Sequence, residues 1–99
     1  MLKDFKATFE NELQDPEYAA GLLKVALEEE GFETFLVCLR DIVKARGGMT
    51  CLAQVTGLGR ESLYKTLSPN GNPEFKTILT ILKALGLSVE FTASIQAAA

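Results

Sequence analysis

Arg60, Glu61, Ser62, Tyr64 and Lys65 crowd into one short run, RESLYK, that follows the glycine-bracketed stretch TGLG. Leu63 and Leu67, four apart, can face a core, which leaves the charged and phenolic side chains on the other side of a short helix. Such a face suits the reading of base edges in a DNA major groove. An arginine at the start of the helix can bond guanine O6 and N7 in bidentate fashion, and a glutamate can accept from a cytosine amino group or hold Arg60 in place. Gly59 joins the candidates by its place at the N-terminus of this helix, Tyr64 and Lys65 can reach bases or phosphates, and Ser62 suits a phosphate or the helix cap. The alternative for Tyr64 is a half-buried ring lying over the core. Thr50, Gln54, Ser68, Asn70 and Asn72 flank this run, where hydroxyls, amides and backbone N–H groups commonly bind phosphate. Lys44, Arg46 and Lys76 can add positive charge, although each alone reads equally as a solvated surface group.

Other chemistries lack their parts. The chain has no histidine, which removes the commonest general base and the commonest metal ligand. Its two cysteines, Cys38 and Cys51, match no metal or redox spacing, so both are expected reduced and buried as small hydrophobes. The only groups left for an enzyme are Glu28 to Glu30 and the cysteines, none with a partner base at a recognisable spacing. We therefore expect no catalysis, no metal and no cofactor. The N-terminus lacks the pattern of a signal peptide, and no apolar run approaches the ~20 residues of a membrane span, which points to a cytosolic chain.

Charge raises an objection to nucleic acid. The chain carries a net −3, the wrong sign for a binder of polyanions. The acidity is segregated, however. Residues 1–35 hold three basic and nine acidic side chains, whereas residues 36–99 hold seven basic and four acidic ones. A nearby polyanion senses the field within about a Debye length, roughly 8 Å at physiological salt, so a distant acidic segment does not forbid contact.

The elements that must position these residues follow from local signals. Ninety-nine residues at 47% apolar composition make one domain with its own core. Residues 1–14 show no firm period and read as a flexible arm. Asp15 as cap, Pro16 in the first turn and the stripe Leu22, Leu23, Ala26 and Leu27 predict a helix over about 16–30, stopped by Gly31. Phe35, Leu36, Leu39, Ile42 and Val43 predict a second over about 33–46, ended by Gly47 and Gly48. Two short helices, about 50–56 and 60–67, flank Gly57-Leu58-Gly59. The turn formers SPNGNP then give a loop, with Asn72 capping and Pro73 opening a last helix. Its apolar face is expected from Phe75, Ile78, Leu79, Leu82 and Leu85, up to Gly86. In 87–93, Val89, Phe91 and Ala93 alternate with polar residues in the manner of a strand. A lone strand has no mate in this chain, so it pairs across a dimer or with another protein, or else lies as a tail over the core. Residues 95–99 read as disordered.

Three spacings in the middle of the chain match a helix-turn-helix. Ala53 is the small residue where the first helix meets the second, Gly57 supplies positive φ in the turn, and Leu63 anchors the second helix. The fold expected is all-α: a five-helix, repressor-like helix-turn-helix domain over 15–87, with a short C-terminal β-strand and tail over 88–99. A helical hairpin that only packs would share the spacing.

The stretch GMTCLAQVTGLGRESLYKTLSPNGNPEFKTILTILKALGL, residues 48–87, closely resembles the HigA-like family of addiction-module antidote proteins, small Cro/repressor-type regulators. The preceding DPEYAAGLLKVALEEEGFETFLVCLRDIVKARGG looks like the N-terminal half of that family. The resemblance implies a cytosolic DNA-binding antitoxin that neutralises a RelE-like toxin and represses its own operon, usually as a homodimer on double-stranded operator DNA. The family's RESLYK run falls on Arg60–Lys65 and its GNP-x-F turn on Gly71–Phe75. Gly59 departs from the Ser more usual there, a loss of a few tenths of a kcal/mol in capping. Cys51 departs as well. A stand-alone prophage-type repressor shares this pattern. A protein-interaction antitoxin without DNA binding fits the net charge better, and salt dependence of binding separates the two.

Overall fold

The computed structural model describes residues 11–94. A helical turn at residues 11–13 leads into five helices. These are α1 (Pro16–Val25, continued as a π-helical turn over Ala26–Glu30), α2 (Phe32–Ala45), α3 (Gly48–Thr56), α4 (Arg60–Thr66) and α5 (Phe75–Ala84). The chain is therefore all-helical among the described residues, in the order expected.

Local chemistry sets most boundaries. Asp15 accepts a hydrogen bond from the Glu17 N–H at 3.1 Å, with Pro16 in the first turn and Glu17 complementing the positive end of α1. The Gly31 N–H reaches the Ala26 carbonyl, the wide spacing of a π turn, and Gly31 at φ 109° ends the helix. Between α2 and α3 both Gly47 and Gly48 adopt left-handed φ. A β-carbon on Gly47 would also lie 3.1 Å from Cβ of Cys51, so this turn needs glycine twice over. At the far end of α5 the Gly86 N–H bonds the Lys83 carbonyl and the Leu87 N–H bonds the Leu82 carbonyl, a Schellman cap.

One core joins the helices. All five residues expected to face inward from α2, Phe35, Leu36, Leu39, Ile42 and Val43, are buried. From α3 and α4 come Leu52 and Leu63, with Leu67 just after. Arg46 closes the bundle. Its Nε donates to the Leu13 carbonyl at 3.2 Å and its Nη1 to the Leu85 carbonyl at 2.7 Å, tying the N-terminal turn and the end of α5 to the end of α2.

Several expectations are corrected. The strand over 87–93 is not formed: among the described residues there is no strand, and 87–94 take no regular structure. A strand needs a second one to satisfy its ladder, and within the described residues nothing supplies it. Val89 and Phe91 are left 41% and 85% exposed. The last helix starts at Phe75 with Glu74 as its cap residue, so Asn72 and Pro73 belong to the loop. On α5 the buried stripe is Ile78, Ile81, Leu82 and Leu85, while Phe75 and Leu79 face outward; on α1, Leu27 does the same. Cys51 is exposed rather than buried. Of the expected arm, residues 1–10 lie outside the described residues, and Leu13 is buried in the core. Residues 95–99 also lie outside them.

Candidate nucleic-acid interface

The turn between α3 and α4 is held from within. The Thr56 hydroxyl donates to the Leu52 carbonyl at 2.7 Å and accepts from the Leu58 N–H at 3.2 Å, while Gly57, at φ 76°, donates its N–H to the Ala53 carbonyl at 2.9 Å. The N–H groups of Gly57 and Leu58 are thus both paired with a neighbour within four residues. Gly59 then enters α4 with extended backbone and no side-chain cap. Leu63 is 1% exposed and plugs α4 into the core, and Leu67 seals its end. The opposite face carries Arg60, Glu61, Ser62, Tyr64 and Lys65, all exposed. Thr50 and Gln54, also exposed, stand one turn apart on α3.

Past α4 the loop folds back on the helix end. The Ser68 hydroxyl donates to the Lys65 carbonyl at 2.8 Å, and the Gly71 N–H to the Ser68 carbonyl at 2.8 Å. Gly71 lies against the last carbonyls of α4, where a β-carbon would sit 2.8 Å from the Lys65 oxygen and 3.0 Å from that of Ser68, with the Thr66 oxygen closer still. That close approach fixes the loop and presents Asn70 and Asn72, both exposed, beside the helix. The Ser68 hydroxyl, by contrast, already serves the backbone.

Tyr64 is only partly covered. The residue is 40% exposed, and two guanidinium groups approach the ring: that of Arg60 with Cζ 5.7 Å from the centroid and that of Arg40 at 5.9 Å. Such contacts lie within cation–π range. No ion pair between Arg60 and Glu61 is formed; Arg60 turns to the ring instead. Arg40, on α2, was missed by the reading of the sequence. Its place beside the buried stripe was a weak signal, and nothing in linear spacing joined it to Tyr64. Arg46 is corrected in the other direction, because its guanidinium is committed to the two carbonyls of the clasp rather than free for a phosphate.

The cysteines stand apart from this face. Burial first, and the charge of Asp41 second, push the Cys38 thiol up from its ordinary range. Cys51 edges a shallow hollow with Val43, Arg46, Val55 and Leu85.

Residues 2–93 match the model of a family described as "Probable addiction module antidote protein". The chain belongs to that family. An uncharacterized protein of Haemophilus influenzae is 39% identical over 89 residues, spanning 90% of this chain and 89% of its own length. No solved structure matches the chain. In this antidote-family chain no helix among the described residues is long and apolar enough to cross a membrane.

Proposed function

We propose that the chain is the cytosolic antitoxin of a toxin–antitoxin pair and represses its own operon by binding operator DNA as a homodimer. In this reading α3 and α4 are a helix-turn-helix, with α4 lying in the major groove. The observation that carries it is the face of α4: Leu63 holds the helix to the core while Arg60, Glu61, Tyr64 and Lys65 stay exposed. Polar groups on a helix that costs the fold this little burial are available to a partner with its own hydrogen-bonding edges. Arg60 and Glu61 sit in the first turn, where a recognition helix reaches bases, and Thr50, Gln54, Ser62, Asn70 and Asn72 are the candidates for phosphate around it. Two copies on a palindromic operator would place their α4 helices about 34 Å apart. The toxin is expected to be basic and RelE-like.

The test is binding of the full-length protein to the DNA upstream of its gene, at low and at physiological salt, beside Arg60→Ala and Lys65→Ala. Selective binding lost in Arg60→Ala supports the reading. No selective binding at low salt refutes it. A second reading, an antitoxin that acts only through protein contacts, is favoured by the surface of α1. There Tyr18, Gly21, Leu22 and Val25 line an open hollow next to Glu17, and Glu28, Glu29 and Glu30 follow. Binding by that surface to a basic toxin would be steered by charge but held by apolar contact, with a shallow dependence on salt.

A further inference from the structure

Tyr64 stands between arginines of different origin. Arg60 is four residues before it on the same helix, a spacing that brings side chains together without help from the rest of the fold. Arg40 comes from α2, and only the packing of the core carries it there. Its Nε is buried and has no hydrogen-bond partner, and no nitrogen of Arg40 donates to any group among the described residues. The two terminal nitrogens are not fully buried and have no partner either. The side chain is thus partly covered while its donors are left without partners.

The arrangement leaves a donor unused in the protein on its own. Two guanidiniums face one ring, with Cζ atoms 5.9 and 5.7 Å from its centroid. No carboxylate is paired with either of them. The concentration of positive charge is at odds with the net −3 of the chain. An anion from outside would take up the idle donors. The planar fork of arginine fits a phosphodiester, which presents two non-bridging oxygens to it. Because Arg40 belongs to α2 and not to the helix proposed to enter the groove, the partner it is assigned is a backbone phosphate rather than a base edge. Contacts of that kind position a protein and carry no sequence information.

We propose that Arg40 is a DNA-backbone contact: a phosphate anchor supplied by α2, held on the Tyr64 ring next to Arg60, which sets how α4 sits in the groove. This rests on the DNA-binding reading above. Arg40 and Arg60 then differ in kind, one acting on every sequence alike and the other on the operator.

The chain provides its own reporter, since it has two tyrosines and no tryptophan. In a Tyr18→Phe background Tyr64 is the sole emitter. The full-length protein is titrated with two duplexes of equal length, the sequence upstream of its gene and a scrambled one. Arg40→Gln, Arg40→Lys, Arg60→Ala and Lys83→Gln are titrated beside it, the last removing an exposed charge from the end of α5. Arg40→Gln is expected to weaken both duplexes by the same factor. Losing one phosphate contact lowers the slope of log K against log salt by about 0.9, so the advantage of the unchanged protein shrinks by about 3.5-fold between 50 and 200 mM salt. Arg60→Ala is expected to lose the upstream duplex selectively, and the emission change of Tyr64 on binding is expected to be blunted in Arg40→Gln. Arg40→Lys, with charge but no fork, keeps the slope and binds more weakly.

Arg40→Gln matching Lys83→Gln in affinity and slope would overturn the assignment and leave the DNA reading standing. Loss confined to the upstream duplex would overturn it too, as a base contact. An unchanged protein that binds neither duplex at 50 mM salt ends both. Thermal melting shows whether Arg40→Gln folds; if it does not, Arg40→Lys decides, and binding equal to that of the unchanged protein counts against the anchor.

Discussion

Replacing Gly71 with alanine tests how the loop after α4 is held. The new β-carbon would fall 2.8 Å from the Lys65 oxygen and 3.0 Å from the Ser68 oxygen, with that of Thr66 nearer still. A carbon and a carbonyl oxygen ordinarily rest about 3.3–3.6 Å apart. All three oxygens are backbone atoms, two at the end of α4 and one in the loop, so none can swing away as a side chain would. The φ of Gly71 is not positive, which makes the cost one of space and not of backbone conformation. Overpacking of this sort costs about 1–3 kcal/mol, and three contacts place it at the upper end. The stiffer unfolded chain returns about 0.4–1 kcal/mol, leaving a net loss of about 2 kcal/mol. For a domain of this size that lowers Tm by about 8–16 °C.

The assay is thermal and urea denaturation followed by circular dichroism, with two other glycines as references. Gly57→Ala meets no atom within 4 Å but forces a side chain onto φ 76°, at a cost of about 1–2 kcal/mol. Gly21→Ala sits inside α1 with no atom within 4 Å and no positive φ, and should stabilise by about 0.5–1 kcal/mol. A Gly71→Ala protein that melts with Gly21→Ala would falsify the argument that backbone contact pins the loop.

Three more outcomes are expected. Arg46→Met loses both donors to the Leu13 and Leu85 carbonyls, for about 2–4 kcal/mol from two charge-assisted bonds at a partly buried site; an unchanged urea midpoint would contradict the clasp. Gly59→Ser places a hydroxyl at the bare cap of α4, where the nearest atom to a β-carbon is Ser62 Oγ at 3.6 Å. It should raise stability by a few tenths of a kcal/mol, and a fall in Tm would show that the cap geometry is wrong. Exposed Cys51 should react with iodoacetamide ahead of Cys38, whose thiol is pushed up by burial and by Asp41 and therefore ionises later as pH rises. The same shift makes the folded state lose stability as pH climbs from the unfolded thiol's range through the folded one. Equal labelling rates at both sites across that range would rule it out.

What could be read without the structure was set by neighbours a few residues apart. Asp15 and Pro16 start α1, Gly31 stops it, Gly57 turns the chain and Gly86 caps α5, because a cap bond or a left-handed φ is decided within one turn of helix. The inward face of α2 was legible for the same reason, its apolar positions outnumbering any alternative stripe. The path of the exposed residues of α4 was legible from Leu63 alone. Other features depended on which distant parts the fold brings together. The bonds of Arg46 span 33 and 39 positions, and Arg40 meets Tyr64 from another helix, so a charged residue read as surface became a clasp and one left unremarked joined the candidate site. Phe75 and Leu79 carry the helical period as well as Ile78 does. Which of them is covered is decided by the neighbours the fold supplies: Ile78 is buried, Phe75 and Leu79 are exposed. The alternation over 87–93 is real in the sequence, but a strand exists only when another backbone completes its ladder, and periodicity in one segment cannot provide that second partner.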